Sequence, residues 1–299
     1  MALARSEETK TETAAESYAR LRRCINDFGK AVLAFSGGVD SSLVLAAASD
    51  ALGVSSLGVT ACSETYPAHE REQAAEIARF LGARHRFIES HEMEDRNYRA
   101  NPPDRCYYCK RELYRALAEI ADREGNAVLV DGTNRDDLSD IRPGRIAAME
   151  FHVRSPLAEL GFGKSSVREM ARYRGLPNWE QPACACLASR IPFGEEITPA
   201  RVQRVAGAEM RIREIGLRMV RVRDYGDTAR IEVGKDEIGS TLLFETRRRI
   251  VEACKSQGYT FVCLDLEGYR TGSMNEGLKT ETPLRGDAKE ILVTDEGVS

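Results

Sequence analysis

Lys30-Ala-Val-Leu-Ala-Phe-Ser-Gly-Gly-Val-Asp-Ser-Ser-Leu43 is the stretch whose reading decides the fold. Ala31–Phe35 is short and apolar, as a buried parallel strand is. Gly37 and Gly38 permit a tight turn, and Asp40–Ala51 continues as a helix whose first amides face that turn. Strand, glycine turn and helix N-terminus in this order make a cradle for phosphate. A Walker loop would need G-x-x-x-x-G-K-[ST], with a lysine on the terminal phosphates. This loop has no lysine and sets Ser36, Ser41 and Ser42 around Asp40, which suits a pyrophosphate with magnesium held by Asp40. The bland alternative is an ordinary strand-to-helix turn with a serine or aspartate cap.

Downstream of this motif, strand and helix signals alternate: strands at Leu57–Ala61, His85–Ile88 and Ala127–Val130, helices at Ala68–Leu81, Cys109–Arg123 and Ser165–Tyr173. Such alternation predicts an α/β unit, a parallel sheet with helices on both faces, whose ligands bind beyond the carboxyl ends of the strands. The pattern breaks at residues 176–197 into a proline-rich, cysteine-bearing loop too long to be a mere connection. Beyond it, helix Pro199–Ile215, strands Met219–Val222 and Arg230–Val233, helix Leu242–Lys255 and strand Thr260–Leu266 predict a smaller α+β domain. The expected division is therefore a polar tail over 1–16, a phosphate-loop domain over 17–175, an active-site loop over 176–197, a substrate domain over 198–277 and a polar tail over 278–299.

With 43 basic and 47 acidic residues the chain carries a net charge of -4, which gives no general attraction to nucleic acid. No apolar run approaches the ~20 residues a membrane span needs, and residues 1–16 lack a signal-peptide core, so a cytoplasmic protein is expected. Eight cysteines in such a chain point to reduced thiols, metal or catalysis.

Four of the eight are spaced for chemistry. Cys106-Tyr-Tyr-Cys109 opens a helix, where the dipole favours thiolate, and Cys184-Ala-Cys186 sits in the long loop. Four thiolates could make a zinc site, or three could hold an iron-sulfur cluster with one iron left open. Cys24, Cys62, Cys254 and Cys263 sit alone and are expected to be buried structural thiols. Asp131-Gly132-Thr133-Asn134, with Asp136 and Asp137 behind it, follows a strand and should reach the same sheet edge as the phosphate loop. Gly132 would let the backbone approach a nucleotide, and Thr133, Asn134 and Asp137 offer hydrogen bonds or a second metal ligand; a plain Asx turn is the alternative. Arg221 and Arg223 share one strand face, Glu232 lies on the next strand and Arg270 follows the last, an arrangement able to grip phosphate or carboxylate, or else a solvated face of ion pairs. Arg247–Arg249 read as a solvated helix face. The histidines at 69, 85, 91 and 152 show no ligand spacing, and no serine-hydrolase or zinc-protease motif occurs.

Together SGGVDSS (36–42), NPPDRCYYCKRELY (101–114), DGTNRDD (131–137), ACLASRIPFGE (185–195) and LDLEGYRTGSMN (264–275) resemble the LarE family of ATP-dependent sulfur transferases. That family lies within the PP-loop ATP pyrophosphatase superfamily, whose fold is adenine nucleotide alpha hydrolase-like. The resemblance covers about residues 17 to 277. It implies a small nucleotide substrate, pyridinium-3,5-biscarboxylic acid mononucleotide, adenylated at a carboxylate with release of pyrophosphate and converted to a thiocarboxylate for the nickel pincer cofactor. It implies ATP and magnesium at Ser36, Gly37, Gly38, Asp40, Ser41 and Ser42, and Lys110 near the nucleotide phosphates. Ser189 and Arg190 would frame the reacting centre, and Glu209, Arg221, Arg223, Glu232 and Arg270 would line the substrate site. Some relatives sacrifice one loop cysteine; others hold a 4Fe-4S cluster on three. The CxxC pair favours the cluster, with Cys106, Cys109 and Cys186 as ligands and Cys184 in reserve, because Cys186 abuts LASR. A homo-oligomer, in some relatives a hexamer, is implied as well. The rival enzymatic readings are a PP-loop tRNA thiolase, which wants a broad basic surface, and an ammonia-dependent synthetase. A nucleotide sensor with structural zinc is the non-catalytic one.

Overall fold

The apolar run at Ala31 becomes the central strand of the sheet. The computed structural model describes residues 12–138, 143–181, 186–270 and 272–275, so Cys184 lies outside the described residues. In chain order the elements are α1 Ala14–Asn26, β1 Ala31–Ala34, α2 Val39–Leu52, β2 Ser56–Cys62, α3 Ala68–Leu81, β3 His85–Glu89, α4 Arg96–Arg99, α5 Arg105–Arg123, β4 Val128–Val130, α6 Pro143–Glu150, α7 Pro156–Glu159, α8 Lys164–Tyr173, α9 Pro199–Glu214, β5 Val220–Tyr225, β6 Thr228–Val233, α10 Ile238–Thr241, α11 Phe244–Lys255 and β7 Phe261–Leu264.

One unit comprises Met1–Cys62, Ala68–Ser90 and Lys110–Cys184. Its sheet has the order β3-β2-β1-β4, and every pair is parallel. Strand order reverses between β1 and β4, so the loops leaving these two strands flank the crevice where open parallel sheets bind ligands. Helix α2 carries Leu43 to Ala48 into the core with almost no exposure, and α1 adds Leu21 and Ile25. α1 starts four residues after Lys10 because Thr13 caps it: its hydroxyl accepts from the Glu16 amide while the Glu16 carboxylate takes the Thr13 amide. The expected tail over 1–16 is thus corrected, since helix begins at Ala14.

The other unit comprises Ser63–Pro67, His91–Cys109 and Ala185–Ser299. β5 and β6 are antiparallel and β7 joins β6 in parallel. Ala208 and Ile212 of α9 and Ile250 and Cys254 of α11 pack with Val220, Val222, Ile231 and Val233 of the sheet. A separate apolar cluster gathers Met93, Tyr98, Leu187, Ala188, Ile191 and Val205. The linear division expected from the sequence differs here, because two segments lying between strands of the first sheet fold with the second unit. Long-range backbone bonds draw them there: Leu187 donates to Thr65 at 3.2 Å, Gly194 to Asn101 at 2.9 Å and Ile197 to Arg99 at 2.8 Å.

Among the lone cysteines, Cys254 is sealed and burial pushes its thiol up to about 12. Cys24 and Cys62 are half-buried, and Cys263 is exposed on edge strand β7, so the expectation that all four are buried is corrected. Among the described residues no helix is long and apolar enough to cross a membrane.

Candidate functional site

The phosphate loop is built by backbone, not by a cap. Gly38 is the N-cap of α2 and brings no side-chain acceptor, so the first amides of that helix keep their donors for another group. Gly37 sits at φ +74°, in the left-handed region. Ser41 ties the turn together: its hydroxyl donates to the Gly38 carbonyl at 3.0 Å, lies 3.2 Å from the Ser36 hydroxyl and accepts from the Ser36 amide. Ser42 turns the other way. It is wholly buried, and Asn178 donates to its hydroxyl at 3.0 Å and to the Gly37 carbonyl at 2.8 Å. The Ser42 hydroxyl, expected among the groups that bind ATP and magnesium, therefore braces the loop from behind.

Gly132 of the loop after β4 lies against the phosphate loop. A Cβ there would stand 2.7 Å from the Ser41 nitrogen and 2.9 Å from its Cα, closer than packed atoms come. Asn134 donates to Asp40 at 3.1 Å, and Asp131 is buried as an anchor, accepting from Tyr114, from the Thr133 amide and hydroxyl and from Ser155. Thr133 is spent on that anchor, and Asp137 takes the Asn134 amide at 3.2 Å. Lys110 stands 5.4 Å from the Tyr114 ring, one residue removed from Asp131. The two loops thus form one surface, and Gly132→Ala should weaken ATP binding by at least about tenfold, roughly 1.4 kcal/mol, while α2 stays folded. Calorimetric titration with ATP and a circular dichroism spectrum would check it.

Sequence reading missed Lys164. Its ammonium forms an ion pair with Asp40, and its amide donates to Asp136 at 2.7 Å. A lysine at the first position of an amphipathic helix carries no signal that separates it from a solvated one. The proposed magnesium ligand is accordingly held between Asn134 and a cation.

In the second unit the cysteines come into one neighbourhood. Cys106 and Cys109 ride on the first turns of α5; Cys106 and Cys186 are exposed, and Cys109 is half-buried. Cys109 packs against the cluster that contains Tyr98 and Leu187, the residue after Cys186. Burial first, and then the charges of Cys186, Cys109 and Glu92, push the Tyr98 phenol up. Among the described residues no three His, Cys, Asp or Glu side chains are drawn tightly enough together to form a ready metal site. As donors the three thiols suit iron or zinc.

Ser189 and Arg190 bind the Cys186 main chain. The Ser189 hydroxyl donates to the Cys186 carbonyl at 2.7 Å, as does Arg190 Nη1 at 3.0 Å. Arg190 is itself fully buried, its other face held by Glu209 at 2.8 and 3.2 Å. Glu209 also accepts from Arg213 at 2.8 Å and from the Val222 amide at 3.1 Å. Burial alone would raise the Glu209 carboxyl; Arg190, Arg213 and Arg221 outweigh it and hold the carboxyl below the usual range. Arg223 donates to the Ser189 carbonyl at 3.0 Å, to Glu232 at 2.6 Å and to Ser273 at 3.0 Å, and Arg230 also reaches Glu232 at 3.0 Å. Arg221 lies 5.3 Å from the Tyr269 ring, and Arg270 pairs with Asp265 and Glu267. Glu209 and Glu232, expected to line a substrate site, are instead sealed counter-ions that fix arginines. The strand arginines are buried rather than solvated. Asp224 points away from them, fully buried under Arg201, Arg204 and Tyr259.

A family model described as asparagine synthase matches residues 19–106, the stretch that contains the phosphate loop. An uncharacterised protein of Synechocystis is 42% identical over 258 residues, 86% of this chain and 96% of that protein. An uncharacterised protein of Methanocaldococcus jannaschii is 29% identical over 242 residues, 81% of this chain and 91% of that protein. The pyridinium-3,5-bisthiocarboxylic acid mononucleotide synthase of Lactiplantibacillus plantarum is 38% identical over 267 residues, 89% of this chain and 96% of that enzyme. With kinship running nearly end to end and a phosphate loop facing Asp131–Asn134 at the sheet's switch point, the chain belongs to the family of the pyridinium-3,5-bisthiocarboxylic acid mononucleotide synthases, LarE.

Proposed function

We infer that the protein is an ATP-dependent sulfur transferase. It adenylates a carboxylate of pyridinium-3,5-biscarboxylic acid mononucleotide, releases pyrophosphate and converts that carboxylate to a thiocarboxylate for the nickel pincer cofactor. The observation that carries the reading is the paired loops after β1 and β4, which present helix amides, Asp40 and Asn134 to a polyphosphate without a lysine in the loop itself. A carboxylate oxygen attacks the α phosphorus, the α–β bridging bond breaks and pyrophosphate leaves. Sulfur then attacks the acyl carbon and the bond to AMP breaks. A carboxylate is a poor electrophile, whereas its adenylate carries a good leaving group, so the first step makes the second possible.

Asp40 would hold magnesium, which neutralises charge developing on the departing pyrophosphate. Asn134 orients that carboxylate, and the Lys164 ammonium holds it in place before nucleotide arrives. Arg221, Arg223 and Arg270 would take the substrate's phosphate and free carboxylate, Arg223 by exchanging the Ser189 carbonyl and Ser273 that it holds here while Glu232 keeps it in place. Cys106, Cys109 and Cys186 would hold a 4Fe-4S cluster, which supplies an iron able to carry a transferable sulfur.

Incubation with ATP and the dicarboxylate should yield AMP and pyrophosphate; ADP with orthophosphate would overturn the adenylation step. For the sulfur centre, protein purified without oxygen should contain iron and labile sulfide, and Cys106→Ala should lose most of both. Iron content unchanged by that substitution would remove the CxxC pair as ligands, and one zinc without iron would favour a structural site.

A further inference from the structure

The carbonyl of Gly37 is gripped by two side chains that take no part in the transfer itself. Asn178 donates to it at 2.8 Å and Gln73 at 3.2 Å, which occupies both of its lone pairs. Each donor is itself fixed. Asn178 sits in the turn beyond α8, where Leu176 is buried and Trp179 packs on the core, and its second N–H goes to the Ser42 hydroxyl at 3.0 Å. Gln73 rides on α3, and its amide pairs with that of Gln181, which donates back to it at 2.8 Å. Among the described residues no donor reaches the buried oxygen of Asn178, a loss that packing alone would not select.

These bonds fall on the peptide that sterics leave undecided. A peptide plane turns over by opposite changes in the ψ before it and the φ after it, and with glycine on both sides, Gly37 and Gly38, either face is accessible. A trans peptide sends its C=O and N–H in opposite directions, so holding the Gly37 carbonyl back presents the Gly38 amide on the other side. Gly37 is buried and Gly38 half-buried, and the Gly38 amide meets the Ser36 hydroxyl only at 3.5 Å, the far limit of a hydrogen bond. Turned over, the same peptide would offer a phosphate its carbonyl. We propose that Asn178 and Gln73 are positioning residues of the adenylation site, which fix the Gly37–Gly38 peptide so that its N–H, and not its carbonyl, faces the polyphosphate. This rests on the phosphate loop binding ATP, and the test separates the two claims.

The full-length chain is titrated calorimetrically with ATP over a range of pH. Asn178→Asp keeps the size of the side chain but, when ionised, has no hydrogen to donate and repels the Gly37 carbonyl. It should weaken ATP binding by about tenfold or more, as when about a tenth or fewer of the molecules present the amide. As pH falls through the range of that carboxyl, the acid regains an O–H for the carbonyl, and its affinity should climb back toward that of the wild type measured at the same pH. Asn178→Ala, which has nothing to titrate, should bind about threefold more weakly than the wild type at every pH, the worth of one hydrogen bond, and Gln73→Leu should do the same. A merely structural role would not let acid restore the affinity of Asn178→Asp and leave that of Asn178→Ala unmoved. Wild-type protein that binds no ATP overturns the phosphate-loop reading and the proposal with it. Variants that bind ATP as tightly as the wild type at every pH, or an Asn178→Asp deficit that acid does not relieve, overturn the proposal while leaving the loop as the ATP site. Circular dichroism of each variant identifies failure to fold, and because Asn178 and Gln73 belong to different elements, one misfolded variant leaves the other to decide.

Discussion

Asp40→Ala should release pyrophosphate about a thousandfold more slowly than the wild type, with ATP affinity unchanged or somewhat tighter. The rate follows from the role: a metal that offsets charge on the leaving group is worth several kcal/mol, and about 4 kcal/mol is a factor of 10³. The affinity follows from the neighbour. Lys164 pairs with Asp40 in this structure, so removing the carboxylate leaves an ammonium beside the cradle, where polyphosphate can take it up. Stability should hardly change, because the pair is part-exposed, with side chains 30% and 23% accessible, and pairs of that kind contribute little. Quenched-flow measurement of pyrophosphate over a range of ATP concentrations separates the two effects. Release at the wild-type rate would remove the magnesium assignment, and a purely KM effect would make Asp40 a binding residue only. Asp40→Asn, which keeps the size of the side chain and loses its charge, should be as slow.

The phosphate loop was legible because everything that defines it is local. Apolar strand, glycine pair and helix follow one another within fourteen residues, and the structure sets β1 at Ala31–Ala34 and α2 at Val39–Leu52, within a residue of what the pattern implies. That the loop after β4 would meet it followed from the rule that strand ends share one edge, and Gly132 against Ser41 is the contact in question. Helix α5 begins at Arg105, so the Cys106–Cys109 pair does open it, although the helical pattern is marked only from Cys109.

What the pattern could not reveal is that Ser63–Pro67 and His91–Cys109 depart from the sheet they interrupt. Apart from the first turn of α5, their elements are a short 3-10 turn and the four-residue helix α4, too short to show a period. Their place is set by bonds such as Ile197 to Arg99, across 98 positions of chain, which no spacing displays. The buried acids failed for the opposite reason. Glu209 and Glu232 do sit among the arginines, as their pattern suggested, but a charge pattern cannot distinguish a carboxylate facing a ligand from one consumed in fixing a guanidinium. Only burial decides that, and both are sealed.

Glu209 should consequently matter more for folding than any other single acid of this cluster. Glu209→Ala strands Arg190, 1% accessible, with a buried charge, and leaves the Val222 amide of β5 without its acceptor. Breaking a buried pair from one side costs about 3–5 kcal/mol. A urea titration followed by circular dichroism should show a loss of that size; a loss under about 0.5 kcal/mol, the level of ordinary surface substitutions, would contradict the burial argument. Acid gives an independent check. The carboxyl is held below its unfolded value, so its contribution is complete above the unfolded pKa of about 4.3 and disappears as pH falls through the lower folded value. Glu209→Gln should therefore narrow its deficit against the wild type as pH falls through that window. The double variant Arg190→Met with Glu209→Leu, of similar volume and no charge, should recover the part of the loss that comes from the unpaired Arg190 charge, the Val222 amide remaining without its acceptor. It should not recover sulfur transfer, because Arg190 also grips the carbonyl of Cys186 and the hydroxyl of Ser189. A protein that regains its fold and stays inactive would assign Arg190 to holding the cysteine, whereas one that regains both would reduce the ion pair to a device of packing.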